Sequence, residues 1–75
     1  MTIKDILYHV EQEGASAAAA HGLYHSPHEA YGVLMEEVDE FFDEVKRKRI
    51  DPLAMRKELI QVAAVAVRAI HDLKL

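Results

Sequence analysis

Asp51-Pro52-Leu53-Ala54-Met55-Arg56-Lys57-Glu58-Leu59-Ile60-Gln61-Val62-Ala63-Ala64-Val65-Ala66-Val67-Arg68-Ala69-Ile70-His71-Asp72-Leu73 is the stretch that decides the fold. Asp as N-cap followed by Pro at the first helical position predicts a helix over 52–73. Its apolar residues cover far more than one stripe, and Lys57, Gln61, Arg68 and Asp72 keep only a narrow polar face. A helix this apolar is buried on more than one side. The rest of a 75-residue chain must supply that cover, and a second copy must supply what the chain lacks. The expected architecture is therefore all-α: three helices, with an antiparallel helix 2–helix 3 hairpin that dimerises into a four-helix core.

The helix before it opens at Ser26-Pro27-His28-Glu29, with Ser as N-cap, Pro at N1 and Glu at N3. It is predicted over 27–49, and the four bases Lys46 to Arg49 would complement its dipole in the last turn. Its middle is Glu36-Glu37-Val38-Asp39-Glu40-Phe41-Phe42-Asp43-Glu44, in which six of nine residues are acidic. Leu34, Val38, Phe41 and Val45 share one stripe, and Glu37 and Glu40 flank it one turn apart. The first helix starts with Thr2 and Asp5 as a capping-box pair and is predicted over Ile3–Glu13, where Gly14 interrupts it. Ala15–Ala20 either continues that helix against a neighbour or frays.

No strand-like alternation and no internal repeat is present. There are no cysteines, which excludes disulfides and thiolate metal sites and fits a reducing cytoplasm. Met1 to Asp5 lacks a basic region followed by an apolar one, so no signal peptide is expected. The longest apolar run, Val62 to Val67, is far short of a membrane span. A net charge of −4 argues against nucleic acid as the main partner. Residues 1–45 carry ten acids and one lysine, whereas residues 46–75 carry eight bases and three acids. Folding one half on the other offsets that polarity.

A short link between helices 2 and 3, of two or three residues, makes them antiparallel neighbours. With the turn near Arg49 and Ile50, facing positions sum to about 99, so Glu37 comes level with Val62 and Glu40 with Leu59. The pairs Glu37/Glu40 and Glu58/Gln61 then stand at one height, roughly 15 Å from the turn at ~1.5 Å per residue. Three carboxylates and an amide converge, and hard oxygen donors suit Mg²⁺ or Mn²⁺ rather than zinc. Lys46, Arg49, Arg56 and Lys57 lie toward the turn end, where phosphates could be received.

Glu37-x-x-Glu40, preceded by Glu36 and followed by Glu58-x-x-Gln61, resembles the ExxE…ExxD signature of the MazG-like all-α nucleoside triphosphate pyrophosphatases. The flanking segment from His28 to Glu37 and the Val/Ala-rich third helix are similar to that family too, from about Tyr24 to Leu73. The resemblance implies Mg²⁺-dependent cleavage of a nucleoside triphosphate to monophosphate and pyrophosphate, by a homodimer or tetramer. It makes Glu37, Glu40 and Glu58 the catalytic metal ligands, with Gln61 at the fourth position, where the family has Asp. An amide oxygen can still coordinate, but it adds no charge and accepts no proton. Lys46, Arg49, Lys57 and His28 are the candidate substrate contacts.

Competing readings follow from the same residues. The acids can form a solvated face, and the basic run can be an ordinary helix end. His21, His25 and His28 are spaced for zinc but straddle a loop and a helix start without a completing carboxylate. Tyr31 is expected in the core, with Tyr8 and Tyr24 able to stack on a base. His9 and His71 fall at surface positions. A metal- or nucleotide-binding homologue without turnover, or a plain helical oligomerisation module, are the alternatives to a cytoplasmic pyrophosphohydrolase.

Overall fold

Each helix begins where a side chain replaces a missing intrahelical acceptor. In the computed structural model, which describes residues Met1–Leu75, α1 spans Ile3–His21, α2 Pro27–Val45 and α3 Pro52–Asp72. Thr2 and Asp5 form the reciprocal capping box, each backbone N–H donating to the other's side chain at 3.1 Å. Ser26 Oγ accepts from the Glu29 N–H at 3.1 Å. Asp51 Oδ1 accepts from the N–H groups of Leu53 and Ala54 at 3.1 and 3.2 Å. All three starts lie where the cap residues put them.

The central helix is α3. It packs against both α2 and α1, which do not pack on one another. Gly14 lies against the Arg68 side chain, and Ile6 and Val10 share an apolar groove with Met55, Leu59 and Ala63. Thus α1 runs parallel to α3, while α2 returns antiparallel to it. The buried core is small: Tyr24, Ala30 and Val65, with Val33, Leu34, Ala69 and Leu73 packed around them.

Four expectations are corrected. Gly14 does not interrupt α1, which continues through the alanines to His21. One glycine costs only about 1 kcal/mol in a helix interior, and six following residues of mostly alanine offset that. Secondly, α2 ends at Val45, so Lys46 to Arg49 belongs to the connector and no base sits in the last helical turn. Pro52 favours extended backbone at Asp51 (φ −114°, ψ 99°), and the chain must leave the helix early enough to reach it. The link is therefore six residues, 46–51, and facing positions shift by one: Glu37 meets Gln61. Lastly, Tyr31 is 63% exposed, and the buried tyrosine is Tyr24 at 6%.

The molecule leaves much of its apolar surface uncovered. No large side chain is fully buried, and Leu59, Val67 and Ile70 on α3 are all about half exposed. Its accessible surface is 5742 Å², whereas a compact monomer of this size exposes about 4,700 Å². No helix is long and apolar enough to cross a membrane.

Candidate metal centre and its cleft

The α2–α3 hairpin brings together the two pairs that the sequence spacing singled out. Glu37 and Glu40 project from α2, and Glu58 and Gln61 from α3. One carboxylate oxygen from each of Glu37, Glu40 and Glu58 lies within 4.8 Å of the other two. Octahedral Mg²⁺ with oxygens near 2.1 Å would hold adjacent ligands about 3 Å apart, so an ion would draw the side chains inward. The all-oxygen donor set fits a hard divalent cation, and small rotamer changes suffice because Glu40 is exposed.

Gln61 closes the cluster from the α3 side. With the amide turned so that its NH₂ faces the two carboxylates, it would donate to Glu37 Oε2 at 2.9 Å and to Glu58 Oε2 at 3.1 Å. The amide thereby bridges two carboxylates that would otherwise repel. With its oxygen on that side instead, Gln61 could ligate a cation but would make neither bond.

The electrostatics of the cluster are those of a group short of positive charge. Burial pushes the Glu37 carboxyl up to about 7, helped by the charge and hydrogen bond of Glu40 and by the charge of Glu58. Glu58 is raised too, first by burial, then by its hydrogen bond with Glu40 and that carboxylate's charge. Lys57 acts in the opposite direction on Glu58 but does not cancel the effect. Near neutral pH, Glu37 is thus poised to hold either a proton or a cation.

Because α1 and α2 sit apart on α3, a cleft of about 580 Å³ opens between them. Glu36, Glu37 and Gln61 form one end, and Tyr24, His25, His21 and Arg68 the other. That volume lies within the range of small-molecule sites. Arg68 is buried: it donates to the Gly22 carbonyl at 2.9 Å and to Tyr24 Oη at 3.1 Å, and its guanidinium stacks over the Tyr24 ring at 4.4 Å. Asp72 accepts from the Tyr24 N–H at 3.0 Å. Together these bonds clamp the α1–α2 connector onto α3.

The other sequence candidates are placed elsewhere. Lys46 pairs with Asp43 at 3.3 Å and covers the Phe42 ring, and neither it, Arg49 nor His28 lines the cleft. Lys57 opens onto the far side of α3, toward His9 and Gln12 of α1. His21 and His25 line the cleft, but His28 does not join them. Sequence reasoning left Arg68 and Asp72 without a role beyond a polar face, and gave Tyr24 only that of stacking on a base. Their signal was the narrow polar stripe of α3, since Gln61 and Arg68 repeat at seven residues and both face the cleft. Comparison with protein-family models, with curated proteins and with solved structures finds no match, so the functional reading stands on this geometry.

Proposed function

We propose that the chain is a Mg²⁺-dependent nucleoside triphosphate pyrophosphohydrolase acting as a homo-oligomer. The observation that carries the reading is the convergence of Glu37, Glu40 and Glu58 from two facing helices, with Glu37 and Gln61 also lining a cleft of small-molecule size. The resemblance to the MazG-like pattern supports the same reading. Glu37, Glu40 and Glu58 would hold Mg²⁺ or Mn²⁺, which when bound supplies Lewis-acid polarisation of a phosphoryl oxygen. The triphosphate would enter at the Glu36/Glu37/Gln61 end, with the nucleoside toward Tyr24, Leu23 and His25. Four carboxylates along the cleft walls (Glu13, Glu29, Glu36, Glu37) would repel a bare triphosphate. Cation and nucleotide are therefore expected to bind together.

Oligomerisation is supported by the roughly 1,000 Å² of surface beyond what a compact monomer exposes. A standard interface buries about 800 Å² per partner. Sedimentation at micromolar concentration should find a dimer or larger, and a stable folded monomer would sink that part of the proposal.

The neutral amide of Gln61, within reach of both Glu37 and Glu58, favours a second reading, a metal- or nucleotide-binding protein without turnover. An amide that bridges Glu37 and Glu58 does part of what a cation would do, and it cannot take a proton from water. Pyrophosphate release from a panel of ribo- and deoxyribonucleoside triphosphates, with and without Mg²⁺, separates the two. Release that needs Mg²⁺ and is lost in Glu37→Gln supports hydrolysis. Metal binding with no release from any nucleotide supports the second reading.

A further inference from the structure

We propose that a second copy of the chain seats the outer stripe of its α2 in the apolar groove between α1 and α3, on the face opposite the cleft. The inference rests on the homo-oligomer reading and adds to it the surface and register of the contact. On α2, Tyr31, Met35, Val38, Phe42 and Val45 are spaced alternately by four and three residues, and these large hydrophobic side chains are 37–63% exposed. On α3, Leu59, Ala63, Ala66, Ile70 and Leu73 repeat that spacing. It is the seam along which two helices interlock their side chains. The cleft is lined by Glu29, Val33 and Glu36 of α2 and by Gln61, Ala64 and Arg68 of α3. At about 100° per residue, these lie roughly half a turn round each helix from its stripe. Both seams therefore look away from the cleft.

The groove opens on the same face, holds about 420 Å³, and is lined by Ile6 and Val10 of α1 and by Met55, Leu59, Ile60 and Ala63 of α3. A two-fold axis parallel to the hairpin lays α2 of each copy over α3 of the other at unchanged height. With Glu37 opposite Gln61, Met35, Val38 and Phe42 then stand level with Ala63, Ile60 and Arg56, which is the span of the groove. Large side chains on one copy thus meet small Ala63 and the hollow beside it on the other. An axis across the helices would stack α2 on α2 and leave both grooves open to water. The surface exposed beyond that of a compact monomer, about 1,000 Å², matches the ~800 Å² that each partner buries in a standard interface. Both clefts open outward in this dimer, each built within one chain.

Sedimentation of the full chain tests the pairing. Val38→Glu and Leu59→Lys should each weaken self-association by about a hundredfold or more, because each puts a charge into an apolar seam. Mixed in equal amounts, the two variants should form a dimer again, since the introduced carboxylate of one then stands beside the introduced ammonium of the other. Tyr8→Glu, on α1 outside both stripes and the groove, should leave the dimer intact. Hydroxyl-radical labelling reads the same face in the wild type: Met35 and Phe42 should be protected in the dimer and labelled on dilution, with Leu23 at the cleft labelled throughout. Protection of Leu23 in place of Met35 and Phe42 would make the cleft the interface and overturn the proposal. Single variants that dimerise like the wild type, or a mixture that stays monomeric, overturn it and leave the homo-oligomer reading standing. A wild type that is monomeric at micromolar concentration overturns both together.

Discussion

The two ends of the polar stripe on α3 solve the same problem in opposite ways. At Arg68 and Asp72, charged groups in a half-buried setting meet complementary partners: Gly22 carbonyl, Tyr24 hydroxyl and ring, and the Tyr24 amide. At Gln61 and Glu58, acids face acids across the hairpin, with one neutral amide between them. The first end holds α1, the connector and α3 together. The second stores repulsion that a cation or a proton would relieve. At the first end the terminal guanidinium nitrogens and Asp72 are paired within the chain, with only Arg68 Nε buried and unpartnered, whereas at the second the acids face one another.

The contrast breaks if the clamp is not stabilising, and Arg68→Ala tests that with the largest expected effect. The substitution removes both donors to the connector and leaves Tyr24 Oη and the Gly22 carbonyl without them. A loss of about 2–4 kcal/mol is expected, measured by urea denaturation. Arg68→Lys should recover only part of it, because one ammonium cannot serve both acceptors in the fork geometry. A loss below about 0.5 kcal/mol would make the clamp a bystander.

Metal should act only at the other end. Mn²⁺ or Mg²⁺ at a hundred times its dissociation constant should add about 2.7 kcal/mol by mass action. Glu40→Gln should raise stability in chelator, by relieving repulsion, and abolish the metal-dependent increment. Gln61→Asp should do the reverse, destabilising the metal-free protein while tightening Mn²⁺. If wild type and Glu40→Gln gain equally from millimolar Mn²⁺, the carboxylates do not form a site.

How much of this was legible in the sequence follows the range of the forces involved. The helix starts at Thr2, Ser26 and Asp51 are local hydrogen-bond problems solved within four residues, and all were readable. So was the meeting of Glu37/Glu40 with Glu58/Gln61, because a hairpin leaves little freedom of register. The end of α2 was not readable, because it depends on the backbone demanded downstream by Pro52. Tyr24 lies in the connector and Tyr31 in α2, and only the path of the connector over α3 buries the former against Arg68. Arg68 itself offered a clue, since a lone guanidinium amid Val62–Ile70 needs a partner. The partner's identity is set by tertiary contacts at 44 and 46 residues' separation.

Acid should separate the two ends by sign. Glu37 has a folded pKa of about 7 against an ordinary 4.5, so between those values the folded state binds more protons than the unfolded. Its contribution is fully present below about pH 4.5 and is lost as pH rises to about 7. Full conversion gives about 3 kcal/mol, and partial exposure reduces this to roughly 1–2 kcal/mol. Asp72 is held below its usual value, first by the His71 side chain and then by the Tyr24 amide. Its contribution is present above about pH 3.8 and is lost as pH falls through the depressed value. Without divalent metal, stability should therefore peak in mildly acidic solution. Glu37→Gln should flatten the limb between pH 4.5 and 7 and leave the acid limb intact. Equal slopes in wild type and variant would place the titration elsewhere.

The smallest effect tests whether the clamp has slack where α1 crosses it. Gly14 sits inside α1 with Arg68 as its neighbour, and a methyl group added there would meet Arg68 Cγ at 3.7 Å and Cδ at 4.0 Å. These are ordinary van der Waals separations, so the added carbon packs without moving the guanidinium. The backbone is helical, and alanine is favoured over glycine there by up to about 1 kcal/mol, with unfolded-state entropy acting in the same direction. Gly14→Ala should therefore raise stability by about 0.5–1 kcal/mol in urea. Gly22 provides the control, since its φ of 78° lies where a side chain is strained, and Gly22→Ala should destabilise. If Gly14→Ala destabilises instead, α1 must approach Arg68 more closely than 3.7 Å allows. The clamp would then be a tightly packed joint rather than a hydrogen-bonded one, and its contrast with the open acidic end would be one of packing as well as charge.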